Sequence, residues 1–136
     1  MIQTIQSALV DQLKGQLGGG YRVEPFPDRP QERLLTGGKG SIFIRYGGAK
    51  HINPIELGGT ALQADFPLQR EYRFEVFIAV SGLNGSEGAL SLLERVIEAL
   101  SGFQPTGCTP LLPKEDGFTT RMQNLWVYAA QFTLTD

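Results

Sequence analysis

Apolar residues recur at three- and four-residue steps through Ile2, Ile5, Leu9, Leu13 and Leu17, while Gln3, Gln6, Asp11, Gln12 and Lys14 fall on other faces. That spacing predicts an opening helix with one buried stripe. Gly18-Gly19-Gly20 ends it, because glycine readily takes the left-handed conformation that closes a helix. Tyr21–Glu24 alternates like a short strand, stopped by Pro25, Pro27 and Pro30. Gln31–Leu35 reads as a helical turn, and Gly37–Gly40 as a turn into Ser41–Tyr46. That apolar, β-branched and aromatic run predicts a strand buried on nearly both faces.

From Gly47 to Gln69 the pattern fails. Gly47, Gly48, Gly58, Gly59, Pro54 and Pro67 predict a long irregular loop, of the kind that orders against a partner. Glu71–Ser81 is the clearest strand, with Tyr72, Phe74, Val76, Ile78 and Val80 on one face and Arg73, Glu75, Phe77 and Ala79 on the other. Asn84 or Ser86 is expected to cap a second helix. Its stripe is Leu90, Leu93, Val96, Ile97 and Leu100, widened by Leu92, and Gly102 stops it. Residues 103–117 hold three prolines and offer only a short edge strand at Leu111 and Leu112. The chain closes on an alternating strand, with Trp126, Tyr128, Ala130, Phe132 and Leu134 on one face, antiparallel to Glu71–Ser81.

The order α-β-β-β-α-(β)-β predicts an α+β fold over residues 1–136 as a single domain. Its expected form is one mostly antiparallel sheet of four to five strands with two helices packed on one face. The other face then needs polar alternation or a neighbouring subunit.

Composition narrows the class. Apolar residues make up 41% of the chain and charged residues only 19%, so Gly, Gln, Thr and Ser must cover much of the surface. Such a surface is bland or buried against other subunits. A net charge of −2 lacks the electrostatic footprint of a nucleic-acid binder. Cys108 is alone, which excludes an internal disulfide and a cysteine zinc site. No basic region followed by an apolar block opens the chain, and no apolar run approaches the ~20 residues that span a bilayer. A soluble intracellular protein without a membrane partner is expected.

Candidate chemistry is sparse. His51 is the only histidine and sits beside Lys50 in the Gly/Pro-rich stretch, poorly placed for a rigid catalytic base. Gly37-Gly38-Lys39-Gly40-Ser41 lacks the spacing of a phosphate loop and leads into a strand rather than a helix. Asp28, Glu32, Asp65, Glu115 and Asp116 are scattered without calcium or zinc spacing. Trp126, Tyr72 and Phe74 are read as core rather than ligand platform. No catalytic residue, metal site or cofactor is assigned, and the chain is expected not to be an enzyme.

Several stretches together resemble a known family: Ile2–Leu17 followed by Tyr21–Pro27, then Arg70–Ile78, Gly88–Leu93, Leu100–Pro105 and Trp126–Phe132. They resemble the small terminator-type tail proteins of Mu-like, contractile-tailed phages and prophages. The resemblance spans nearly the full chain as a pattern of apolar positions and turns. It implies a non-enzymatic ring, a hexamer of this chain, capping the head-proximal end of the tail tube in the virion after assembly in the host cytoplasm. Such a ring ends tube and sheath polymerisation and offers a docking face to the head-side connector, while genomic DNA passes through its lumen without sequence-specific binding. On that reading the stretch Ala49–Pro67 contacts tube or sheath. Arg45, Lys50, His51, Arg70 and Arg73 are the candidate assembly or partner contacts, with the three arginines facing a neighbouring subunit or the lumen. The alternatives are another head–tail connector or tail completion ring, and a small binding module using the open sheet face.

Overall fold

The computed structural model describes residues 1–30, 39–52 and 69–136. Helix α1 spans Ile2–Leu17 and buries Ile5, Leu9, Val10, Leu13 and Leu17, the stripe its sequence spacing dictates. Gly18 closes it at φ 73°. Two glutamines on α1 pin it to its surroundings: Gln6 Nε2 donates to the Ile44 carbonyl at 2.7 Å and Gln12 Nε2 to the Ala99 carbonyl at 3.1 Å.

Among the described residues five strands form one mixed sheet: β1 (Tyr21–Pro25), β2 (Gly40–Ile52), β3 (Gln69–Val80), β4 (Leu112–Met122) and β5 (Leu125–Thr135). Their spatial order is β1-β2-β3-β5-β4. Only β1 and β2 run parallel; the other neighbours are antiparallel. Helix α2 (Ala89–Leu100) follows β3 and packs beside α1, on the same side of the sheet. The fold is thus α+β, as the element order predicts.

The core lies between sheet and helices. Val23, Ile42, Ile44, Tyr72, Phe74, Val76, Ile78, Val80, Ala130, Phe132 and Leu134 meet the buried stripes of both helices. Burying a side chain of this kind stabilises by about 1.5–3 kcal/mol. Arg95 of α2 adds polar stitching, donating to the Leu17 carbonyl at 3.3 Å and lying 5.6 Å from the Tyr21 ring centroid. A terminal α1 carbonyl thereby gains the donor its own helix cannot supply.

Four expectations need correction. The stretch read as irregular from Gly47 is strand as far as Ile52, and Gln69 already begins β3. The register shifts between Tyr46 and Gly48, where Gly48 sits at φ 126°. A Cβ on Gly47 would lie 2.7 Å from Glu75 Oε1. These glycines make a bulge rather than a break, because β3 supplies ladder partners on both sides of it. The remainder of that stretch, 53–68, and the turns at 31–35 and 37–38 lie outside the described residues.

The second correction concerns α2. Its buried residues are Ala89, Leu92, Leu93, Val96 and Leu100, while Leu90 is 41% exposed. Leu92, Leu93, Val96 and Leu100 are buried as expected, while Ala89 takes the place of Leu90 and Ile97 is only partly buried. The third concerns its cap: Gly88 is the N-cap, and neither Asn84 nor Ser86 caps the helix through its side chain. Carbonyls of the preceding loop take the first helical amides instead, Gly82 at 2.8 Å and Leu83 at 3.2 Å. The fourth is β4, where an eleven-residue strand replaces the expected short one.

Two glycines test these statements with opposite signs. A Cβ on Gly88 would lie 2.4 Å from the Asn84 carbonyl oxygen and 2.6 Å from that of Leu83. Gly88→Ala is therefore expected to destabilise by about 2 kcal/mol or more, since main chain must move. A Cβ on Gly15, inside α1, meets nothing within 4 Å. Gly15→Ala is expected to stabilise by about 0.5–1 kcal/mol. Urea midpoints of the two variants check both.

Candidate assembly surface

Each of the five candidate residues lies on the β2–β3 ladder, but they divide between its two faces. Arg45, Lys50 and Arg73 lie on the face opposite the helices; His51 and Arg70 are register partners on the helix side, at the far end of the ladder. The basic residues do not form an uninterrupted strip. Arg45 Nη2 meets Glu75 Oε2 at 2.9 Å, Arg73 donates to the Gly47 carbonyl, and Lys50 stands opposite Glu71. His51 is exposed. Cys108 is buried, and burial pushes its thiol pKa up, with the charge of Asp136 acting in the same direction.

Arg45 is the most embedded in a surface feature. Its guanidinium lies 4.9 Å from the Phe77 ring centroid and 5.3 Å from that of Phe26. Phe26 in turn packs edge-on against Phe77 at 5.3 Å and Phe43 at 6.1 Å. These rings line an apolar groove of about 150 Å³ with Pro30, Ala79, Met122 and Val127, on the face opposite α1 and α2. The sequence holds part of this signal, since Phe77 and Ala79 alternate onto the second face of β3. Phe26 escapes pattern reading because it follows β1, held by its N–H to the Ile44 carbonyl at 2.8 Å.

At the sheet's other edge, every residue from Leu112 to Arg121 is exposed. Phe118 is 56% exposed and makes edge contacts with Trp126 at 6.1 Å and Tyr128 at 5.7 Å, while the Arg121 guanidinium lies 4.8 Å from the Trp126 ring centroid. Trp126 is thus only partly core, unlike Tyr72 and Phe74, which are fully buried. Among the described residues no group of three or more His, Cys, Asp and Glu side chains is placed to hold a metal ion, and no helix is long and apolar enough to cross a membrane.

Arg70 takes part in a clamp between β3 and the end of β5. Tyr72 donates its hydroxyl to Asp136 Oδ2 at 2.7 Å, and the Arg70 main-chain N–H donates to Oδ1 at 2.9 Å. The Arg70 guanidinium lies 4.7 Å from the Tyr72 ring centroid. The Tyr72 hydroxyl first, then the Arg70 N–H, hold the Asp136 carboxyl below its ordinary pKa against the opposing effect of burial. A carboxylate with a depressed folded pKa stabilises the fold above its unfolded pKa, about 3.9, and that stabilisation is lost as pH falls through the folded value. Asp136→Asn is expected to flatten this part of the acid limb in thermal melts below about pH 4. Tyr72→Phe, which keeps the ring packing, is expected to cost about 1.5–3 kcal/mol at neutral pH, as measured by denaturant unfolding.

No curated protein matches this sequence. A family model does, over residues 9–135, and its description is "Gp37 protein". The match takes in the two described helices and the five described strands, apart from the first turns of α1. The chain belongs to the Gp37 protein family, a family of phage proteins.

Proposed function

We propose that this phage protein is a non-enzymatic, virion-associated tail terminator. It acts as a ring of identical copies, six by the family resemblance, that caps the head-proximal end of the tail tube. There it ends tube and sheath growth, presents a docking face to the head-side connector and lets genomic DNA pass through its centre. The observation that carries this reading is that, among the described residues, the helices cover the sheet on one side. Both helices sit on one face, and the opposite face presents the Phe26, Phe43 and Phe77 groove with Arg45 against two of its rings. The low charge content of the chain as a whole supports the same reading, since surfaces with few charges are suited to burial against a protein.

The groove also gives the binding-module alternative its best case, and its size counts against it. Small-molecule sites run to about 300–1,000 Å³, and this groove measures about 150 Å³. A second ring in the neck shares the same assembly physics and differs only in the partner it caps.

The direct assay adds purified protein to polymerising tail-tube subunits. Tubes stopped at a length set by the ratio of added protein to tube subunits, with the protein at one end only, are the expected result. Unaltered tube lengths with no end-bound protein would overturn the reading, and binding only to portal-side proteins would transfer it to a connector ring.

A further inference from the structure

The two outer strands of the sheet carry matched, short stretches of main chain that face away from their neighbours. On β5, the Asp136 N–H donates to the Arg70 carbonyl of β3, whereas Thr135 exchanges bonds with Thr109 on the other side, at 2.7 and 2.8 Å. Main-chain direction alternates along a strand, so the odd-numbered residues of β5 turn toward β4. Their register partners Glu115, Gly117, Thr120 and Met122 bond inward. Asp116, Phe118 and Arg121 stand opposite Ala130, Tyr128 and Trp126, and so direct their N–H and C=O groups outward. Register shifts between Pro113 and Glu115 and between Phe118 and Thr120 leave Asp116–Phe118 as the one regular stretch with two outward amides.

The opposite edge has the same form. Lys39 donates to the Gly20 carbonyl and Phe26 to that of Ile44, so the even-numbered residues of β1 turn toward β2. Tyr21 and Val23 then direct their amides outward. Gly20 at φ 100° bounds this stretch on one side, and Pro25, which has no N–H, on the other. Among the described residues no strand lies beyond β1 or β4.

We infer that the Asp116–Phe118 edge of β4 pairs with the Tyr21–Val23 edge of β1 in a second copy of this chain, joining sheet to sheet. The partner is another copy because each molecule carries both edges, equal in outward amides, at opposite ends of one sheet. A joint between unlike edges repeats from copy to copy and closes by rotation, whereas β4 against β4 would stop at two copies. Unpaired sheet edges take up strands in this way when bulges, charges or prolines do not block them. On each edge here bulges, Gly20 or Pro25 bound a short stretch that carries one charged side chain, Asp116 or Arg22, and that no described strand covers. The inference deepens the ring reading and rests on it for the closure of the assembly.

The test uses the full chain, with native mass spectrometry and amide hydrogen exchange. Asp116→Pro deletes one outward N–H without removing a β4–β5 bond, and Asp116→Ala is its control. The wild type and Asp116→Ala are expected to form a closed oligomer, and Asp116→Pro to weaken assembly about tenfold or more. The amides of Tyr21, Val23, Asp116 and Phe118 are expected to be protected in the wild-type oligomer and to exchange on dilution to monomer. This second measurement decides the matter even if the proline variant does not fold. A ring that survives Asp116→Pro with these amides unprotected overturns the edge joint and leaves the ring reading standing. Loss of assembly in Asp116→Ala overturns it as well, since the side chain rather than the main chain would then hold the joint. A dimer with β4 amides protected and β1 amides exchanging replaces it with a β4–β4 joint. A wild-type monomer at high concentration counts against both the joint and the ring.

Discussion

The constraint on which the structure depends is the period-two alternation of β3. Tyr72, Phe74, Val76, Ile78 and Val80 are buried without exception on the helix side, and β3 is the middle strand of the sheet. A one-residue slip against β2 or β5 would turn five apolar side chains out of the core. That cost fixes the register of both neighbours, and with it the helix-side stripes Ile42–Ile44 and Ala130–Leu134. The helices then have one place to bury their own stripes. The Tyr72–Asp136 hydrogen bond fastens the same strand to the end of β5.

From this alternation follows the asymmetry of the molecule. From Tyr72 to Val80 the helix side of β3 is buried in the core, so functional surface is sought on the other face and at the sheet's ends. The second face alternates charge with aromatic rings, Arg45 and Glu75 beside Phe77. Strand β4 runs beyond the cover of the helices and is exposed on both faces. In the proposed reading, neighbouring copies complete these surfaces. What is shown of the chain's identity is membership in a family of phage proteins; the ring is the proposal.

What was legible in the sequence was whatever burial imposes a period on. Helix α1, strand β3 and strand β5 each bury one face, and their residues alternate accordingly. Strand β4 buries neither face, so Leu112–Met122 carries no alternation and reads as loop. The far half of β2 was hidden for another reason: Gly47 and Gly48 look like breakers locally, and only pairing with β3 makes them a bulge. In α2 the buried position at the start is Ala89 rather than Leu90, which a small, weakly apolar residue does not announce in the sequence. The candidate contacts were legible as a basic set, but only Arg45 and Arg73 fell on expected strands; Lys50 and His51 were read in the irregular loop. Their division between two faces, and the carboxylates interleaved with them, depend on register, which no single segment encodes. The aromatic groove unites Phe26, Phe43 and Phe77 from three separate segments, so only the folded sheet brings it together.

The central claim is that copies of this chain join into a ring on one end of the tail tube. Electron cryomicroscopy of intact tails, at a resolution that separates strands, tests it most directly. The account predicts a single ring at the head-proximal end, each subunit showing a five-stranded sheet with two helices on one face. Tails that carry no such subunit at that end, or that carry it repeated along the tube, would contradict it.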